Sequence, residues 1–300
     1  PNSSTDAPLS EFIQLNKTSR VKRKLKRQEV PNVPDYEDDL LALPCALDMK
    51  EYKQLPPEFN QISSLAHAWQ SMPLPIPFLF RLDPASTDKS IQHFYHRCKQ
   101  AFESTFNANN SQAGSNPAFA TPKIHNIHMV VNPTAYREFE RQQLKMKENE
   151  ARQKDLDPRS PSYLDDVKSI QIPTRRLFHG TSSANVQSLV ENGACPERSA
   201  ANGNFGIGFY AAKHSSYSRN YAKWDMSRIA RIFILRALVG RMQKGDVGMN
   251  LGSAQAQLTG SKVAGATYDC FVDNVANPEI YCFPRASQIY IEAMIEFVTV

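Results

Sequence analysis

Leu177-Phe178-His179-Gly180-Thr181 sets an imidazole, a bare peptide group and a hydroxyl side by side at the end of an apolar run. A glycine there leaves its backbone open, so its N–H and C=O can pair with a planar carboxamide. The imidazole beside it can bond a sugar hydroxyl. Read alone, a His-Gly pair at a strand end is a turn. Tyrosines downstream change that reading. Tyr217 and Tyr221 stand four apart, the spacing that puts two side chains on one helix face. Tyr210 follows the turn Gly206-Ile207-Gly208, where small residues let another group approach closely. Two aromatic planes can hold a flat heterocycle at about 1 kcal/mol per face. An amide clamp flanked by aromatic rings asks for a pyridine carboxamide.

Other chemistry-bearing residues are less organised. His93 and His96, and His125 and His128, are spaced as ligand pairs, but no third or fourth ligand stands near either, and no metal is expected. Cys45, Cys98, Cys195, Cys270 and Cys282 are scattered and odd in number, which reads as free thiols in a reducing compartment. Neither a phosphate-cradling lysine loop nor a Ser-His-Asp order stands out.

Short elements must position the clamp. The spacing predicts strands over Arg175–His179 and Phe209–Ala211, and a helix over Ser183–Asn192 stopped by Gly193. A second helix is expected over Ser215–Lys223, and a near-continuous apolar strand over Ile229–Val239 suits a central position. Tyr268–Val272, Glu279–Phe283 and Ile289–Val298 read as strands, the last with Ile289, Ile291, Ala293, Ile295 and Phe297 on one face. Upstream, Ile124, Ile127, Met129 and Val131 predict a strand, and Asn132 then caps a helix carrying Pro133, Tyr136 and Phe139. Ile91 to Phe106 has the periodicity of a half-buried helix. Residues 154–173 read as a long connection, and 240–265, rich in glycine, as a mobile loop.

Over 300 residues the chain is 41% hydrophobic and 22% charged, enough for a sizeable core. A net charge of +5 is too small to argue for a nucleic-acid partner, and no apolar run is long enough for a bilayer. Residues 1–60 read as a flexible charged arm, with a basic run from Arg20 to Arg27 and an acidic patch from Asp35 to Asp39. That basic run fits nuclear import, a foot on nucleic acid or a solvated segment. Residues 61–116 form a partly helical N-terminal region and linker, and 117–300 the main domain. Opening on Pro1 without an apolar signal, the chain looks like a piece of a longer one in an intracellular setting, nucleus or cytoplasm.

Taken in order, the His179-Gly180-Thr181 segment, the Gly206–Tyr210 segment and Asn277-Pro278-Glu279-Ile280-Tyr281-Cys282-Phe283 running into Gln288-Ile289-Tyr290 resemble the poly(ADP-ribose) polymerase-like ADP-ribosyltransferases. The resemblance spans roughly Lys123 to Val300 and is strongest to the branch that transfers a single ADP-ribose unit. It implies an α+β fold of two packed, twisted, mostly antiparallel sheets with short flanking helices, and an NAD-dependent transfer to a protein acceptor, this chain included. Nucleic-acid ends remain open as acceptors; no membrane partner is implied. By resemblance His179 holds the ribose of the adenosine half, Gly180 and Ser218 bind the nicotinamide carboxamide, Tyr221 stacks on the ring and Tyr210 walls its other side. Thr181 and Asn185 fall where relatives contact the adenosine ribose, and Cys195–Phe205 where they carry a flap.

The third catalytic position, counted back from Gln288, falls on Ile280, where polymerising relatives carry glutamate. Isoleucine cannot accept the hydroxyl that would be extended, which removes a charge-assisted hydrogen bond of about 1.5–3 kcal/mol. Elongation should therefore fail while one transfer survives. Glu279 is adjacent, but strand alternation points it to the other face. Ile207 and Ala212 depart from residue types common in relatives, which leaves open an NAD- or ADP-ribose-binding module of the same fold that turns nothing over. Transfer to RNA phosphate would need several arginines at the site, and Arg198 and Arg219 are the candidates.

Overall fold

The computed structural model describes residues 59, 61–62, 76–106, 122–198 and 203–299. The basic run, the acidic patch and the rest of the charged arm lie outside them, except Phe59, which is buried against Phe94 and Tyr290 and so belongs to the core. Nine strands hydrogen-bond in the order β1-β2-β9-β5-β3-β4-β8-β7-β6. In chain order they are β1 (Phe78–Arg81), β2 (Pro122–Val131), β3 (Thr174–Thr181), β4 (Phe209–Ala212), β5 (Ala230–Leu238), β6 (Met242–Lys244), β7 (Cys270–Val272), β8 (Ile280–Phe283) and β9 (Ile289–Thr299). All neighbours are antiparallel except β6 and β7.

One joint in this ladder matters most. β3 and β5 pair along the whole of Thr174–Thr181, whereas β3 and β4 share only the pair Phe178–Ala212. The ladder therefore falls into two leaves, β1-β2-β9-β5-β3 and β4-β8-β7-β6, hinged at one residue pair. The α+β class is the one expected, while the two sheets expected are here two parts of one nine-stranded ladder.

Helices α1 (Lys89–Phe106) and α2 (Pro133–Gln153) cover one face of the larger leaf. Phe102, Phe106 and Phe297 meet with centroids 5.0 to 5.5 Å apart, and Tyr136 and Phe139 pack on Tyr290. Since Phe94, Cys98, Phe102 and Phe106 share one core with β2, β5 and β9, the boundary expected at residue 117 does not separate two cores. On the other side α4 (Ser183–Asn192) sets Leu189 and Val190 against Leu177, Phe209 and Phe283. Asn132 caps α2 by accepting the Ala135 N–H at 2.9 Å, and its amide donates to the carbonyls of Val190 and Glu191 at the far end of α4.

Four sequence expectations change. The period-two face of β9 breaks, because the register with β5 slips between Ile234 and Leu235, leaving Glu292 as the extra residue. Ile289 and Ile291 therefore join one core, while Ala293, Ile295 and Phe297 join the other. Glu292 is buried there between Arg236, at 2.8 Å, and Arg176, at 3.2 Å, and charge pairing holds the bulge. Second, the connection after α2 contains α3 (Tyr163–Ser169), which buries Val167 against Ala151 and Ile170. Third, residues 240–265 carry β6 and a 3-10 turn and bury Met249 and Ala256 against Phe271 and Cys282. Fourth, the helix expected over Ser215–Lys223 is only α5 (Ser215–Ser218) with a 3-10 turn, Arg219–Tyr221. Its serine hydroxyls bond outward, Ser215 to the Phe102 carbonyl and Ser218 to that of Phe178, instead of supporting a longer helix.

Candidate active site

Where β3 and β4 part, a cavity of about 680 Å³ opens. His179, Gly180 and Thr181 line it from β3, Asn185 from α4, and Tyr210 from β4. Ser218 and Tyr221 come from the α5 segment, and Ile280 from β8. The eight residues expected at the donor site thus meet on one cavity.

The orientation of Gly180 follows from its strand. Ser218 Oγ donates to the Phe178 carbonyl at 2.9 Å, so Phe178 turns that group toward the α5 side. Backbone groups two residues apart on a strand point to the same edge, so the N–H and C=O of Gly180 face that side too. β4 has already diverged at this point, since its pairing with β3 ends at Phe178. Only glycine fits. A Cβ on Gly180 would lie 1.8 Å from the Ser218 carbonyl oxygen and 3.1 Å from the Ala222 nitrogen, both backbone atoms.

His179 is packed 4.3 Å from the Phe209 ring, and its Nδ1 lies 2.7 Å from the Tyr210 carbonyl. A carbonyl only accepts, so Nδ1 carries the hydrogen and Nε2 of the neutral ring is an acceptor. Burial pushes its pKa down from 6.5 to about 4, and the bond to Tyr210 opposes the shift only in part. The sign of the pH effect follows. The folded state holds His179 neutral, so its contribution to stability is fully present above pH 6.5 and is lost as pH falls through about 4. Ligand affinity should accordingly be flat from pH 6 to 8 and fall only in acid; binding titrated over that range by calorimetry checks it.

Tyr221 is 55% exposed, and its hydroxyl lies 3.2 Å from that of Tyr217, with the two rings 5.6 Å apart. The predicted sharing of one face holds although the helix is short. Across the cavity the Asn185 amide donates to Thr181 Oγ1 at 3.0 Å, fixing two polar groups near the His179 end. Ile280 is 1% exposed and pairs with Ala212. Glu279 is not among the lining residues. Asp273 Oδ1 accepts the N–H of both Glu279 and Ile280 at 3.0 Å, holding the backbone where β8 begins.

Sequence reasoning missed several members of the wall. Lys223 lines the cavity beside Tyr221, and among the described residues no Asp or Glu does. Only the charge alternation after Tyr221 could have hinted at it. Arg198 lines the cavity and donates to Ser188 at 2.7 Å, whereas Arg219 points elsewhere, over the Phe106 ring at 5.1 Å. Of the flap expected at 195–205, residues 199–202 lie outside the described residues, and Gly203, Asn204 and Phe205 line the cavity. Cys98, Cys195, Cys270 and Cys282 are free thiols; Cys45 lies outside the described residues. His128 sits 3.4 Å from Glu296, and among the described residues no group of three or more His, Cys, Asp or Glu could hold a metal ion.

The model of the poly(ADP-ribose) polymerase catalytic domain matches residues 99–288, which include every cavity residue named above. The chain belongs to that family. Human protein mono-ADP-ribosyltransferase PARP12 is 29% identical over 129 residues, 43% of this chain and 18% of that protein. Mouse protein mono-ADP-ribosyltransferase PARP11 is 29% identical over 147 residues, 42% of this chain and 43% of that protein. The chain thus spans less than half the length of these curated relatives. The family match starts at residue 99, inside α1, whose buried face shares a core with β2, β5 and β9.

Proposed function

We propose that this domain is an NAD-dependent mono-ADP-ribosyltransferase that moves one ADP-ribose unit to a protein acceptor and releases nicotinamide. The observation that carries this reading is the open edge of Gly180 beside Tyr221, with Ile280 and, among the described residues, no carboxylate on the cavity wall. The carboxamide pairs with the Gly180 peptide group, and the pyridine ring lies between Tyr221 and Tyr210. His179 accepts a ribose hydroxyl at Nε2. Binding energy spent on both ends of the donor holds the glycosidic bond for cleavage through an oxocarbenium-like state. The bonding electrons leave with the nicotinamide nitrogen, and the acceptor oxygen bonds the vacated ribose carbon.

The proton balance favours an acidic acceptor. With a pKa near 4, His179 is a poor base for a neutral hydroxyl, and among the described residues no Asp or Glu lines the cavity to serve instead. A carboxylate side chain arrives ionised and requires no base. Ile280 leaves the new ribose hydroxyls without an acceptor, so the chain stops at one unit. Incubation with labelled NAD tests this: intact-mass analysis should show single ADP-ribose increments on acidic side chains. Ladders of heavier products, or no transfer, would refute it.

A further inference from the structure

We propose that the Tyr210 hydroxyl is the clasp that holds the loop 203–207, whose Gly203, Asn204 and Phe205 line the cavity, in place, making Tyr210 a positioning residue through that loop as well as a wall of the site. The proposal rests on the donor-site reading above for its effect on NAD, but the clasp is a property of the fold. The hydroxyl accepts the Phe205 N–H at 2.9 Å and donates to the Gly206 carbonyl at 2.7 Å. Its hydrogen is thereby committed to the loop backbone, not to a ligand.

The loop is shaped to this hydroxyl. A Cβ on Gly203 would meet the Tyr210 oxygen at 2.5 Å and the Gly206 carbonyl at 2.7 Å. Gly206 adopts φ +114, and a Cβ there would lie 2.8 Å from the Met249 carbonyl. From its far side the loop is held by the Ile207 N–H, which donates to Met249 at 2.7 Å. On Gly245 a Cβ would sit 2.2 Å from the Phe205 carbonyl. The wall is thus pressed between a phenol on β4 and the 245–249 backbone, with Phe205 and Tyr210 both packed on the Met249–Phe271–Cys282 cluster. Residues 245–249, which do not bear the family's three motif segments, thereby help place Gly203, Asn204 and Phe205 along the cavity.

Tyr210→Phe separates the two roles, since it keeps the ring and removes the clasp. Hydrogen exchange at the Phe205 amide should quicken at least about tenfold, the loss of one buried hydrogen bond. The KM for NAD should rise about tenfold while kcat stays within about threefold, because the loop is positioned less often but the chemistry is unaltered. Gly203→Ala, which presses on the hydroxyl from the loop side, should give the same pattern. Unchanged exchange at Phe205 in Tyr210→Phe, or a fall in kcat at constant KM, overturns the proposal. Exchange needs no turnover, so a wild-type protein that neither binds nor uses NAD would sink the transferase reading while the exchange result still decides the clasp.

Discussion

Gly180→Ala should abolish donor binding while the protein still folds. The added methyl would sit 1.8 Å from the Ser218 carbonyl oxygen and 2.8 Å from its carbon, distances no side-chain rotation relieves. β3 cannot withdraw easily, because Gly180 lies in the continuous ladder that pairs the whole of Thr174–Thr181 with β5. The segment Ser215–Tyr221 must move instead, and it carries both Ser218 and Tyr221. Overpacking of this kind costs about 1–3 kcal/mol. The losses should therefore separate: a modest drop in melting temperature, and at least about a hundredfold loss of affinity for NAD, or about 2.7 kcal/mol. Calorimetry with NAD and a thermal melt on the same sample measure both. Wild-type affinity in Gly180→Ala would mean that the backbone edge is not where the ligand binds.

His179→Ala should be nearly as damaging, for a different reason. Truncation removes the Nε2 acceptor, strips the Tyr210 carbonyl of its 2.7 Å partner and leaves a gap beside Phe209. An unsatisfied buried acceptor costs about 1–3 kcal/mol before any ligand contact is counted. The specificity constant for NAD should fall at least about a hundredfold, with the loss in both kcat and KM because a ribose contact and the wall are damaged together. Steady-state release of labelled nicotinamide gives both constants. His179→Gln, which can still accept a hydrogen bond, should recover part of the loss; equal loss in the two variants would assign His179 a packing role alone.

Much of this site was legible because its chemistry is local. His179-Gly180-Thr181 is one run of backbone, and Tyr217 and Tyr221 keep their facing geometry in a 3-10 turn as they would in a helix. Asn132 capped its helix as its type demands, although nothing in its neighbourhood foretold the second bond to α4. What escaped was non-local. The bulge at Glu292 exists because Arg176 and Arg236, from two other strands, converge on one carboxylate, and period-two reading along β9 cannot see them. The packing of residues 240–265 depends on Met249 and Ala256 finding Phe271 and Cys282, where glycine content pointed to looseness. Lys223 became a wall residue only through the turn that carries Tyr221. Alternation already points Ile280 rather than Glu279 at the cavity, but the Asp273 carboxylate that holds both of their N–H groups comes from a separate loop.

The most direct test of the central claim uses the smallest piece of the donor. If the Gly180 edge and the Tyr221 ring seize a pyridine carboxamide, nicotinamide alone should bind in a calorimetric titration. Nicotinate, which offers no amide N–H to the Gly180 carbonyl, should bind at least about tenfold more weakly. Tyr221→Ala should weaken nicotinamide by about five- to tenfold, the worth of one stacked face. Equal binding of nicotinamide and nicotinate, or no binding of either, would contradict the account.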